Sequence, residues 1–257
     1  MIDPRVVRGV VGVAGLLAVA EAAGRAGLMD TRIMPLASTV VARAAGLAVD
    51  GEFLQDVSAT LGVWAAGLVV AILLAVPVGV LLGSLPRVEA AVRPLIEFLR
   101  PIPSVALIPL VALIAASDAR VKVTVIVYAA CWPVLVNTMY GLHDVDPVAK
   151  DTLRAFGFGR LAVLLRVALP SAAPFVLTGV RLAASVALVV AVSAELLAGG
   201  AGGIGVYIIK AGSGYRVDLM VAAAVWAGLI GLAVNALLVR AERVLFRWHA
   251  ARAGVAA

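Results

Sequence analysis

The residues of this chain that could do chemistry fall into three groups. The first lies between His143 and Leu169, which holds Asp144, Asp146, Lys150, Asp151, Arg154, Arg160 and Arg166. From Val145 to Phe156 the apolar positions Val145, Val148, Ala149, Thr152, Leu153 and Phe156 share one helical face, and Lys150, Asp151 and Arg154 share the other. Gly157 tolerates positive φ and permits a sharp turn. Leu161, Leu164, Leu165, Ala168 and Leu169 then recur at helical spacing up to Pro170, which is expected to close this second run. Helix, glycine elbow and second helix suit mechanical work rather than bond-making. Such a unit can insert into a groove on a partner and pass on a rigid-body push, or rest on lipid headgroups as an interfacial helix.

The second group lies inside an apolar run. Arg181 and Glu195, with Ser185 and Ser193 between them, sit in the stretch from Ala172 to Ala198. A charge at mid-bilayer costs roughly 2.5–3.5 kcal/mol on insertion scales, so both should face protein or water. Fourteen residues separate them, about 21 Å along a helix at about 1.5 Å per residue, too far to pair within it. Each is a candidate pathway or gate group or a structural bond to another helix, with Glu195 read as the more structural of the two. Ser185 can line the same cavity or bond back to its own helix.

The third group is a set of near-motifs. Gly200-Ala201-Gly202-Gly203-Ile204-Gly205 satisfies G-x-G-x-x-G, but a dinucleotide site needs a preceding strand, and an apolar run precedes it here. The reading is a flexible glycine-rich loop, with a gating role at the outer mouth as the alternative. His143 and His249 stand alone, and the single cysteine, Cys131, reads as a small apolar residue in a helix. No Ser/His/Asp set, paired-carboxylate motif or metal-ligand spacing appears in the sequence, so it reads as no enzyme and as binding no metal.

The elements that must carry these groups follow from composition. Of 257 residues, 63% are hydrophobic and 14% charged, with mean hydropathy +1.11. Soluble domains are about 45–50% apolar and about 25% charged. Ordinary soluble enzymes, disordered chains and nucleic-acid modules are thereby excluded, and an all-α, polytopic membrane protein of about six transmembrane helices remains. A single transmembrane domain, 1–257, is expected, with spans near 6–23, 59–82, 94–117, 121–142, 172–198 and 219–239. The first span also has the basic start of a cleavable signal peptide. Residues 26–56 read as extramembrane with a short amphipathic helix, 84–93 as a polar turn, and the third span as interrupted by Pro101, Pro103 and Pro109.

With both termini in the cytoplasm, thirteen basic residues lie inside (Arg5, Arg8, Arg87, Arg93, Arg100 and eight in the 143–169 loop and the tail) and seven outside. The net charge of +6 is therefore read as topology, not as a nucleic-acid footprint. The same bias puts the 143–169 loop in the cytoplasm.

The stretch D-P-V-A-K-D-T-L-R-A-F-G, Asp146 to Gly157, with R-V-A-L-P at Arg166 to Pro170, resembles the E-A-A loop of binding-protein-dependent ABC importer permeases. Asp151 occupies the acidic position, and Gly157, Leu169 and Pro170 match. Thr152 and Leu153 stand where alanines are usual. Arg100-Pro101-Ile102-Pro103, Trp132 to Thr138, Leu177 to Leu182 and Ala194 to Leu197 resemble helices of the nitrate/sulfonate/taurine branch. The resemblance implies the type I importer permease fold in the plasma (inner) membrane. It also implies a second permease copy, two cytoplasmic ABC ATPases carrying ATP and Mg, and an extracytoplasmic solute-binding protein, with lipid around and no cofactor on this chain. It gives Lys150, Asp151, Thr152, Arg154, Phe156, Gly157, Leu169 and Pro170 as the ATPase-coupling loop. A small anion such as sulfonate, taurine or nitrate is the expected cargo, with a pyrimidine or thiamine precursor as the alternative. An ion-coupled carrier is disfavoured, because few ionisable groups lie within the spans.

Overall fold

The computed structural model describes residues 4–245. Arg247, His249 and Arg252 lie outside the described residues. Every regular element among the described residues is helical. In chain order they are α1 (Pro4–Arg25), α2 (Ala37–Leu47), α3 (Gly51–Ser84), α4 (Pro86–Leu99), a short 3-10 turn (Ser104–Leu107), α5 (Ile108–Ile114), α6 (Asp118–His143), α7 (Pro147–Ala155) and α8 (Arg160–Val163). A π turn (Leu164–Ala168), α9 (Leu169–Ala198), α10 (Ile204–Ser213) and α11 (Val217–Leu245) complete the chain. Five helical stretches are long and apolar enough to cross a membrane, and a sixth crossing results if α4 and residues 104–114, bent by 79°, form one broken span.

The bundle is built on α3, α6 and α9. Lipid tails are as apolar as leucine, so helices in a membrane associate through close packing of small residues and polar bonds between helices. The shared core shows this: Ala71, Ala75, Ala129, Ala130, Ala183, Ala184, Ala187, Ala191 and Ala194 are buried. Close approach is strict at two glycines. A Cβ on Gly79 would lie 2.7 Å from Thr138 Cβ, and one on Gly179 would lie 2.8 Å from Asn137 Cβ. Trp64 Nε1 donates to the Ala184 carbonyl across α3 and α9 at 2.9 Å. A second cluster seats α2 on α11 around Phe53, Leu47, Ala222 and Ala223, and Trp226 Nε1 donates to Ala44 there at 2.8 Å. α1 is peripheral, with 6% of its apolar window buried.

The helices differ from the expected pattern at four places. The polar turn expected at 84–93 is the start of helix α4. Pro86 sits in its first turn, where a missing N–H is harmless, and Arg93 bonds Glu89 one turn back at 3.0 Å. Asp56, expected outside the spans, lies within α3 and is buried, because α3 starts as early as Gly51 with Asp50 capping the Phe53 N–H at 2.8 Å. Pro170 does not end the second loop helix. The helix continues from Arg160 to Ala198, and the Leu169 N–H reaches back five residues to Leu164. That widened turn comes just before the residue that has no N–H and whose ring would crowd the carbonyl one turn back. Lastly, the glycine-rich loop contains α10 and is tied down, as described next.

Candidate functional site

The segment between α6 and α9 is a built unit. Asp146 caps α7 by accepting the Val148 N–H at 2.8 Å, and Pro147 occupies the first turn. The other end closes on Gly157, at φ +80, a conformation that glycine adopts without a Cβ penalty. Its N–H donates to Arg154 at 2.9 Å, and the Phe158 N–H donates to Leu153 at 3.1 Å, the double bond pattern of a Schellman cap. The Arg166 guanidinium sits over the Phe158 ring, 5.0 Å from its centre, and holds the second limb against the elbow.

Beneath the unit, Val145 is buried with Leu142, Ala168 and Ala172. Lys150 Nζ donates to the Leu142 carbonyl at the end of α6, at 3.2 Å. α7 is therefore fastened to the ends of both α6 and α9. Asp151 and Arg154 pair on the surface at 2.8 Å, and Thr152 bonds back to Val148. Val148 and Phe156 are 70% and 78% exposed, and Leu161 is exposed as well. These apolar side chains share one end of the bundle and stay uncovered among the described residues. Of the eight loop residues singled out above, Lys150 through Gly157 form this projecting unit, and Leu169 and Pro170 lie in the helix behind it.

Arg181 and Glu195 are placed differently from each other. Arg181 pairs with Glu242 of α11 at 3.0 Å, and Thr178 also reaches Glu242, at 3.4 Å. The span expected to end at 239 continues to Leu245, which carries Glu242 alongside α9. Ser185 bonds back to the Arg181 carbonyl at 3.4 Å. If the Arg181–Glu242 pair is a strut between α9 and α11, Arg181→Ala should lower thermal stability in detergent by about 1–2 kcal/mol through the half-buried carboxylate it leaves unpaired. The double variant Arg181→Met/Glu242→Met should then recover both stability and transport. A double variant that is stable but transports nothing would make Arg181 a pathway group instead.

Glu195 is fully buried in a polar knot at the far end of the bundle. It accepts from Thr60 Oγ1 at 2.9 Å and from the Gly205 N–H at 2.9 Å. Asp56 Oδ1 accepts the Gly203 N–H at 2.7 Å, Thr60 Oγ1 accepts the Ile204 N–H at 2.9 Å, and Lys122 Nζ donates to the Gly202 carbonyl at 3.1 Å. Three side chains thus take the first free N–H groups of α10, the donors that a helix start leaves unsatisfied. The loop expected to be flexible is clamped. Of the G-x-G-x-x-G amides, those of Gly203 and Gly205 are engaged by carboxylates of the same chain and that of Ile204 by the Thr60 hydroxyl. Gly203 is required, because at φ +134 a Cβ would collide with the Glu195 carboxylate.

Reading the sequence missed Asp56, Thr60, Lys122 and Glu242 as partners, since each lies far along the chain from the group it bonds. It also missed Glu89, which is buried, accepts from Arg93 and lies 3.0 Å from His143 Nε2. Glu89 and Arg93 stand at i, i+4 spacing, which a helix reading of 86–99 would have paired, but no local signal could have found the pairings between helices. A buried acid on one helix needing a partner on another was the only hint.

Residues 75–248 match the family described as binding-protein-dependent transport system inner membrane component. A protein of Brucella abortus strain 2308 named as a probable ABC transporter permease is 32% identical over 217 residues, covering 84% of this chain and 86% of that one. The nitrate import permease of Leptolyngbya laminosa is 30% identical over 194 residues, covering 75% of this chain and 69% of that one. Among solved structures, the MetNI methionine ABC transporter in an inward-facing conformation superposes with a TM-score of 0.65 at 19% identity, covering 74% of this chain and 94% of that one. At that identity the likeness is one of fold.

Proposed function

The chain belongs to the family of binding-protein-dependent transport system inner membrane components, and on that footing we propose that it carries a small anion of the nitrate, sulfonate or taurine kind across the inner membrane by alternating access. It is the permease part of an ABC importer, and its fold is that of the type I class. Two copies would form the path. A separate pair of ATPase subunits would bind ATP and Mg, and a solute-binding protein outside would deliver the cargo. The anion assignment is supported by the similarity to a nitrate import permease and by the branch-specific helix motifs in the sequence.

The observation that carries the coupling mechanism is the projecting unit around Gly157, with Phe156 and Val148 bare at its tip and its base bonded to α6 and α9. An apolar knob on a rigid, capped helix fits a cleft on a partner. Closure of the ATPase dimer on ATP would push that knob. The push would pass through Val145 and Lys150 into the ends of α6 and α9, which are too closely packed to absorb it locally, and would tilt them as bodies. The positive-inside bias supports a cytoplasmic position for this end and for both termini.

The test is reconstitution into liposomes with the ATPase and binding protein. Nitrate and ethanesulfonate uptake is expected to need ATP, all three components and the binding protein on the outer face. Uptake by this chain alone on an ion gradient would overturn the proposal.

A further inference from the structure

An open cavity of about 460 Å³ lies where α4 breaks off, walled by the middle of α6 and α9. Arg100, Ser104, Tyr128, Trp132, Asn137 and Leu182 are among its lining residues. Its depth follows from the helices. Tyr128 Oη donates to the Leu99 carbonyl at 2.6 Å, which ties the break at Arg100 to α6 within the reach of a tyrosine side chain. Tyr128 is ten residues into α6, counting from Asp118, about 15 Å along the axis at about 1.5 Å per residue and so near the middle of a hydrocarbon core about 30 Å thick. The positive-inside count had placed Arg100 at the cytoplasmic surface. With Tyr128 at that depth, Arg100 stands within the bundle rather than at the end of a crossing, since Pro101 and Pro103 follow the end of α4 at Leu99 and separate it from α5.

The other intramembrane cation on this side of the bundle, Arg181, is neutralised by Glu242. Arg100 has no carboxylate within ion-pair distance among the described residues, and Glu97, one turn earlier, does not pair with it. A cation kept at that depth without a partner is expected to face water or cargo.

The neighbouring polar groups are donors. Asn137 Nδ2 gives one N–H to the Pro133 carbonyl at 2.8 Å and keeps the other. Ser104 offers a hydroxyl. The Trp132 indole N–H, in the same wall, is buried with no acceptor. The Tyr128 hydroxyl proton is already committed to Leu99. No acid is among the described residues that line the cavity. A fixed cation with spare donors and no acid is short of an acceptor, and the volume would hold a small oxyanion together with several waters at roughly 30 Å³ each.

We propose that Arg100 is the mid-membrane anion contact of the translocation path, with Ser104 and Asn137 as neutral donors beside it, so that the permease itself selects negative charge after the binding protein releases its cargo. This rests on the anion reading above and names the residue that would enforce it.

The test uses the full complex in liposomes with labelled nitrate and ethanesulfonate as probes, and copurification of the ATPase as the check on assembly. Arg100→Gln should cut binding-protein-dependent uptake about tenfold or more, the scale of one charge-assisted hydrogen bond. Arg100→Lys should keep most of it. Cys131 is the chain's single cysteine, so Arg100→Cys in a Cys131→Ala background can be labelled alone. A cationic aminoethyl methanethiosulfonate should restore uptake, and the anionic sulfonatoethyl reagent should not.

Full uptake by Arg100→Gln overturns the inference. So does equal rescue by both reagents, and so does loss of assembly in the Gln and Cys variants alone. If the wild-type complex carries neither anion, the functional reading fails first, and that result is seen before any variant is made.

Discussion

A Gly157→Pro permease is expected to insert, to assemble with its ATPase and to show ATP hydrolysis that no longer responds to loaded binding protein. Proline fixes φ near −65°, whereas Gly157 stands at +80. The substitution also deletes the N–H that bonds Arg154 and displaces the Phe158-to-Leu153 bond beside it. The cost, about 3 kcal/mol or more, falls on an exposed elbow rather than on the α3–α6–α9 core, so the spans survive while the second limb swings away.

Phe156→Ala separates shape from contact in the same segment. Its ring is 78% exposed, so truncation should leave thermal stability unchanged. If the ring is an anchor in the ATPase cleft, coupling should fall by about 2 kcal/mol, roughly thirtyfold, as at interface hot spots. Asp151→Lys removes the Arg154 partner and reverses charge on the polar face, and it should uncouple as well. Normal stimulated hydrolysis in all three variants would remove this segment as the docking element.

The largest effect on stability is expected at Glu195. Glu195→Leu leaves the Gly205 N–H without its acceptor and leaves Thr60 only the Asp56 carbonyl, at the centre of a knot that also holds buried Asp56 and Lys122. Removing one member of a buried charged network costs about 3–5 kcal/mol. A thermal-shift series should therefore place it well below wild type. Glu195→Gln should fall between them, because one amide oxygen still accepts a bond. Limited proteolysis should then open the chain between Gly199 and Gly203, where the released loop is reached first. Gly203→Ala should reproduce the loss from the other side of the same contact. A Glu195→Leu protein as stable as wild type, with an uncut loop, would show that the knot does not hold α10.

The sequence exposed what is local and hid what is not. The five long spans were legible because apolar runs report on the solvent directly, whatever they pack against. The elbow was legible because capping chemistry is written within a dozen residues: Asp146, Pro147, Arg154 and Gly157. Partnerships across helices were not. Glu195 is 135 residues from Thr60, and Arg181 is 61 from Glu242, and no spacing rule links such pairs. The setting of Arg100 was hidden for a different reason: a positive-inside count weighs a charge by its place along the chain and does not see the cavity beside α6 that Arg100, Pro101 and Pro103 line. Pro170 misled in a similar way, since a proline is a breaker only when the turn around it cannot widen.

That widened turn, Leu164 to Ala168, fixes more than continuity. A π turn is an α-helix with one residue too many, and each residue advances a helix by about 100°. The compass bearing of the projecting knob around the axis of α9 is therefore held in a single surplus residue. Two permeases with the same bundle and the same elbow could point their knobs a quarter-turn apart by keeping or dropping it, and so would fit ATPases whose clefts face different ways.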